Sequence, residues 1–420
     1  MDIYNLVSFA GIFVLMGIAW AASKHRRRLN LRAICWGVGI QLGLGALIFH
    51  APGSRGLFLK LNDAVLELLT AAQAGQIFLF GPLSRQETLG FIFAFQAVPM
   101  IIFFSALMAL LYHWRIMPLI IRGFAWVFTR LMRISGAESV CTASNIFVGI
   151  ESATAVQPHL NDMTPSEFCT ILTAGMATVA ASTMAVYVYV LGGVFATIAG
   201  HLISASLLSA PAAIVMSKLV LPETASPVTL GKTIRPHYER ASGAIESIIN
   251  GAMAGVKLVV GICALLVAFL GLVALVDLIL GAVNAGWSVG GLLGYVFRPL
   301  AVLIGVPPAD AAAAGELLGQ RFVATEIPAY EALAEAIRQG ALHHPRSAVV
   351  IAYALCGFAH VASMAIFVGG IAALVPERRK DLAAVGPRAL LAATLACLMT
   401  GAVAGAFFHG GATVLGAARP

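Results

Sequence analysis

Asn145-Ile-Phe-Val-Gly-Ile-Glu-Ser-Ala-Thr-Ala-Val-Gln-Pro158 (NIFVGIESATAVQP) carries a single charge, Glu151, set just after Gly149-Ile150 and followed by small residues. The chain around it is strongly apolar: 60% of its 420 residues are hydrophobic, 11% are charged, and the mean hydropathy is +0.92. Soluble domains carry about 25% charged residues. This composition suits a lipid bilayer, where a carboxylate is costly unless it is paired, protonated or lines a wet cavity. A charge kept inside such a segment needs a reason, and that reason decides how the chain folds.

About 20 apolar residues cross a bilayer. Eight spans are expected: Ile3–Ser23, Ala33–His50, Gly90–Tyr112, Gly175–Gly192, His201–Val220, Ala254–Leu280, Ser347–Leu374 and Leu390–Phe408. The first is not a secretory signal, because Asp2 precedes it and KHRRR follows it, the reverse of the usual order. Strict alternation then makes Lys24–Arg32, His113–Gly136, Leu221–Gly251 and Val375–Arg388 cytoplasmic. These loops hold most of the Lys and Arg, whereas the external loop Ala51–Leu89 has only Arg55, Lys60 and Arg85, so charge bias and alternation agree. Both termini are expected outside. The net charge of +7 is thus explained by topology, and nucleic-acid binding is not expected. The six cysteines stand singly, with no metal-ligand or CxxC spacing, as core packing residues do.

Two stretches resist this scheme. Arg133–Cys169 contains the opening motif, and Pro307–Arg346 contains GQRFVATEIPAYEALAEAIRQGALHH. Each is too polar for a plain span and follows an amphipathic stretch, Trp114–Arg133 or Val289–Gly305. Those two read as surface-lying helices, with a tilted or short membrane helix as the alternative. The helices that come next share a break, GMATVAAS from Gly175 and GFAHVAS from Gly357. One copy starts from the cytoplasm and the other from outside, so the repeat is inverted, the architecture of secondary transporters. The expected fold is therefore an all-α polytopic membrane protein: eight transmembrane helices, two opposed re-entrant hairpins, and interfacial helices. Its parts are a scaffold (1–112), a first transport repeat (113–220), a cytoplasmic loop with one span (221–288) and a second repeat (289–420).

Glu151 and Glu326 then fall at the hairpin turns. Irregular backbone at membrane depth is tolerated only where protein buries it or a cavity borders it, so the two tips are expected to meet near mid-membrane and offer acceptors to a polyhydroxy ligand. The bland alternative is two hydrated loop tips. Asn145, Thr178, Thr183 and Ser363 lie near the carboxylates or in the broken helices. Unwound carbonyls with an Asn and a Thr oxygen suit a hard cation such as Na⁺, although back-bonding to its own helix is the default for any single Ser or Thr. His360 has three open roles: ligand hydrogen bond, proton carrier, or satisfied core histidine. No GxSxG, HExxH, phosphate loop or Cys/His pair is present, so no enzyme is expected.

GAESVCTASNIFVGIE, MTPSEFCTILTAGMATVAAS and LCGFAHVAS with PERRKDLAAVGPRALLAATLACLMTGAVAGAFF resemble the concentrative nucleoside transporters over nearly the whole chain. The resemblance implies a homotrimer with one site per protomer, cation-coupled nucleoside uptake, and no cofactor beyond the coupling ion. By the same resemblance Glu326, the residue at His360 and Ser363 hold the ribose with Phe358 alongside, and Glu151, Ile150 and Thr325 stand at the two tips; Thr183, in the first broken helix, completes the expected substrate site. Asn145 and Thr178, with the carbonyls of Val148 and Val179, match the family's sodium ligands by type. Three departures stand out. The first tip, usually Gly-Gln-Thr/Ser-Glu, is the shorter Gly149-Ile150-Glu151. The second, usually Asn-Glu-Phe, reads Thr325-Glu326-Ile327, and the usual Phe-Ala-Asn reads Phe358-Ala359-His360. Ribose binding is expected to persist while base recognition changes. The expected function is a Na⁺- or H⁺-coupled nucleoside importer in a bacterial cytoplasmic membrane with periplasmic termini. An importer of a related sugar-bearing solute and a non-transporting membrane sensor are the alternatives.

Overall fold

A computed structural model describes residues 2–409 apart from 52, 86, 88, 89, 239 and 240. Among these residues the chain is helical throughout, and its only β-type pairing is the isolated bridge between Ser135 and Leu230. Eight helices are long and apolar enough to cross a membrane: Ile3–Ala21, Leu31–His50, Gly56–Ser84, Phe93–His113, Pro165–Leu191, Ile198–Val220, Ala244–Val283 and Pro376–Phe407.

The count of eight matches the expectation, but the membership differs. The segment read as an external loop, Ala51–Leu89, is largely the helix Ser54–Phe80. Lys60, Asp63 and Glu67 follow helical spacing and share one exposed stripe, so the rest of the segment can be apolar enough to form a long helix. Its anchors lay it along one face of the molecule. Asn62 donates to the Ala196 carbonyl (3.4 Å), just before Ile198–Val220, and Gln76 donates to that of Gln96 (3.2 Å), at the start of Phe93–His113. The opposite ends of those two helices both reach the segment after Val220, where Tyr238 packs on Tyr112 with ring centroids 5.0 Å apart. Both anchors therefore lie at the ends of those helices away from Tyr112 and Val220, and the segment expected to be a loop is an ordered helix.

The other difference is Pro345–Leu355 and Val361–Leu374, two short helices that together fill the place of the expected span Ser347–Leu374. They reproduce an earlier pattern. Pro165–Ala177 and Ala181–Leu191 also form one span broken near its middle, and it starts ten residues before the expected Gly175. Proline at the first helical position and the capping box of Thr164 with Glu167 explain that earlier start. His360 and Ser363 form a second capping box, which restarts the helix after the later break.

The repeat is now visible in full. The helices Ile116–Val127 and Val289–Leu303 each lead into a hairpin, a broken helix and a long helix. The first hairpin is Gly136–Asn145 followed by the 3₁₀ run Ile150–Asp162; the second is Ala311–Val323 with Glu326–Arg338. The two broken helices cross at their breaks. A Cβ on Gly357 (φ +139°) would stand 2.6 Å from the Ala177 carbonyl oxygen, and one on Gly175 would meet the Phe367 ring at 2.3 Å, so only glycine permits this approach. On the outside runs Ala244–Val283, 40 residues and about 60 Å long. It closes on Met100–His113 through Gly251 and Gly255, the small-xxx-small packing of membrane helices.

Candidate functional site

Glu326 opens the second arm of the later hairpin and is 3% exposed. Its Oε1 accepts from the Tyr187 hydroxyl at 2.7 Å. Its Oε2 lies 3.0 Å from Nε2 of His360 but has no aligned donor, so this oxygen keeps unused acceptor capacity. His360 Nδ1 accepts from the Ser363 backbone N–H at 3.1 Å, which assigns the hydrogen of a neutral ring to Nε2, facing the carboxylate. The Ser363 hydroxyl donates to the His360 carbonyl (2.7 Å) and contacts that of Phe358. The break after Leu355 thus gathers Phe358, His360 and Ser363 beside Glu326. Thr325 adjoins them with a buried hydroxyl that has no partner among the described residues. Thr183 is buried one turn before Tyr187 on the helix Ala181–Leu191.

Three neighbours escaped the sequence reading. Tyr187 holds the carboxylate, and Tyr330 stacks on it with ring centroids 4.6 Å apart while donating to the Ala352 carbonyl at 2.9 Å. Their helical spacing was the available signal, since Tyr187 is four residues after Thr183 and Tyr330 four after Glu326. The third is Arg321, fully buried, whose Nη1 donates to the Ala354 carbonyl (3.3 Å). A guanidinium there caps the end of Pro345–Leu355, where the helix dipole favours a cation.

Glu151 takes another position. It is exposed at the start of the 3₁₀ run, and no hydrogen bond or ion pair joins it to the Glu326 cluster among the described residues. The physical reason is the seat of its neighbour: Ile150 packs where a Cβ on Gly370 would be, 2.1 Å from its Cδ1. Gly370 lies two helical turns, about 10 Å, beyond Ser363. One helix links the two tips. Helix Ala181–Leu191 starts against the first tip, where the Ala181 N–H donates to the Phe147 carbonyl (2.9 Å), and reaches Glu326 through Tyr187. Six residues of helix separate these two points by about 9 Å.

The same bond from Ala181 brings the turn 145–149 against the break 178–180, and so collects the four residues matched to sodium ligands. Asn145 Nδ2 donates to the Cys141 carbonyl at 3.1 Å, leaving Oδ1 buried without a partner among the described residues. Thr178 back-bonds its hydroxyl to the Ala174 carbonyl (2.8 Å), which leaves its lone pairs free. Val179 is buried and Val148 half-buried in the same turn and break. An orphaned amide oxygen, a hydroxyl oxygen and unwound carbonyls are hard donors that suit Na⁺.

The comparisons with known proteins agree with this architecture. Profiles described as Na⁺-dependent nucleoside transporter N-terminus and C-terminus match residues 10–83 and 201–405, and one described as nucleoside recognition (Gate) matches 94–194. The uncharacterized transporter YutK of Bacillus subtilis is 36% identical over 404 residues, 94% of this chain and 98% of its own length. Rat sodium/nucleoside cotransporter 1 is 36% identical over 424 residues, 96% of this chain but 64% of that longer protein. A solved structure of CNTnw, in an inward-facing substrate-bound state, superposes with a TM-score of 0.88 at 34% identity, covering 96% of this chain and 98% of the other. The helical order, the paired hairpins and broken helices, and these matches have one reading: this chain is a polytopic membrane protein of the concentrative, Na⁺-dependent nucleoside transporter family, a nucleoside symporter.

Proposed function

We propose that the chain imports nucleosides by holding the ribose on Glu326 and coupling its passage to Na⁺ bound by Asn145, Thr178 and the carbonyls of Val148 and Val179. The observation that carries this reading is Glu326 itself, a buried carboxylate with one oxygen held by Tyr187 and the other lacking an aligned donor. A carboxylate accepts at about four sites, so ribose hydroxyls can bind while the protein contacts stay in place. Phe358, His360, Ser363, Thr325 and Thr183 border the sugar, and a base can reach along helix Ala181–Leu191 toward Ile150 and Glu151 at the first tip. The cation site adjoins the first tip, so ion and substrate bear on the same broken helix. Segments 113–220 and 289–420 act as the transport repeats against the scaffold 1–112, with 221–288 linking them. The assembly is a homotrimer in a bacterial cytoplasmic membrane with both termini periplasmic, a sidedness that the basic loops favour.

Uptake of radiolabelled uridine and adenosine into proteoliposomes tests this reading. An inward Na⁺ gradient at constant pH should drive accumulation, choline in place of Na⁺ should depress it strongly, and Asn145→Ala should weaken the Na⁺ dependence. Uptake indifferent to Na⁺ but driven by an inward proton gradient would overturn the cation site and move coupling to the His360–Glu326 pair, whose 3.0 Å contact favours that second reading.

A further inference from the structure

Three of the four basic segments that alternation placed on one side converge on an open cleft of about 660 Å³. Arg32 comes from the first, Trp126, Thr129, Arg130 and Arg133 from the second, and Leu230, Gly231 and Thr233 from the third. It contains three guanidinium groups and no carboxylate, and none of the three has an ion-pair partner among the described residues. Like charges gathered this way repel one another, so the cleft favours an anion.

The cleft is constructed, not incidental. Phe128–Met132 is a π-helical turn, a rare form common at functional sites. It ends at Arg133, one of two non-glycine residues with positive φ among the described residues (φ 53°), a conformation that costs about 1–2 kcal/mol. Arg32 Nε and Nη2 donate to the Leu131 and Arg130 carbonyls at 3.0 and 3.2 Å, fixing the turn from below. The opposite wall is tied on by Gly231 N–H to the Ile134 carbonyl (3.1 Å) and Gly136 N–H to that of Thr229 (2.9 Å). The rim is apolar: Trp126 is 57% and Leu230 46% exposed. Tryptophan on an amphipathic helix marks the bilayer interface.

We infer that this cleft binds the phosphate headgroup of an anionic phospholipid from the leaflet on the basic side. Arginine forks match phosphate oxygens bidentately, and the exposed Trp126 and Leu230 give acyl chains a surface that a free phosphate ion does not need. The inference is independent of the substrate reading, since no residue of the nucleoside or cation site lines the cleft.

The test is thermal melting of the full chain in detergent micelles doped with phosphatidylglycerol, with phosphatidylcholine, or with inorganic phosphate at equal ionic strength. Phosphatidylglycerol alone should raise the melting temperature. Arg130→Gln and Arg133→Gln should each shift the half-maximal lipid concentration upward about fivefold, the factor corresponding to about 1 kcal/mol per arginine near an anionic surface. Arg27→Gln/Arg28→Gln, which alters basic residues outside the cleft, should leave that midpoint unchanged; if Arg133→Gln does not fold, Arg130→Gln alone decides. Equal protection by phosphatidylcholine or by inorganic phosphate, or an unaltered midpoint in Arg130→Gln, would overturn the assignment.

Discussion

Replacing Glu326 by Gln keeps the size of the side chain and removes its charge. In the native site Oε1 accepts from Tyr187 at 2.7 Å and Oε2 faces His360 Nε2 at 3.0 Å. A glutamine can turn its carbonyl to His360 and its amide to Tyr187, whose hydroxyl also accepts, so both protein contacts survive and the fold should hold. The ligand side fares worse. The carboxylate has about four acceptor positions and the amide carbonyl two, so at least one hydrogen bond to a ribose hydroxyl is lost and its place is taken by a donor. A charge-assisted hydrogen bond is worth about 1.5–3 kcal/mol, equivalent to about 10- to 150-fold in affinity. Uridine uptake by Glu326→Gln proteoliposomes, at substrate well below half-saturation, should fall by at least that lower factor, with the melting temperature close to that of the unaltered protein. Near-normal uptake by the well-folded variant would refute the assignment of Glu326 to the sugar.

Three further outcomes follow from other parts of the structure. Lys218 (2% exposed) is paired with Glu138 (1% exposed) and donates to Ser166 at 3.0 Å, so Lys218→Met should destabilise the protein by about 3–5 kcal/mol, with the added Glu138→Gln recovering much of the loss in thermal melts. Asp310, in the loop entering the second hairpin, is buried; burial alone would raise its carboxyl, but hydrogen bonds from Ser347, the His343 backbone and ring, and the His344 ring outweigh that and hold it below the usual range. A lowered folded value means its stabilisation is present above about pH 4 and is lost as pH falls through the folded value, so acid melting should be steeper in the unaltered protein than in Asp310→Asn. Ile150 replaces an amide–hydroxyl pair by an apolar contact, and such contacts discriminate by only about 10–200-fold. Competition among uridine, cytidine, adenosine and inosine should therefore show weak base selectivity but firm dependence on the ribose hydroxyls, and a sharp preference for one base class with indifference to the sugar would reverse the roles given to the two tips.

The apolar runs, the placement of Lys and Arg, and the two glutamates in otherwise apolar segments were legible in the sequence because each is a local property. The cost of a charge in lipid, the length of a span and the asymmetry of basic loops act on contiguous residues. The breaks after Gly175 and at Gly357 were legible for the same reason, as short runs of small residues repeated in step. Ser54–Phe80 was not, because its charges count against a helix in linear order and only the helical turn confines them to one stripe. The sites divide in the same way. Glu326, His360 and Ser363 could be singled out, but the hydroxyl that holds Glu326 comes from Tyr187, 139 residues away. Likewise Glu151, so similar to Glu326 along the chain, sits apart from it because Ile150 seats on Gly370. Residue type and spacing determined that this protein crosses a membrane as an inverted repeat with a carboxylate at each hairpin tip. Which carboxylate is enclosed and which is left open was decided by contacts between distant segments, and those depend on how close two backbones can come.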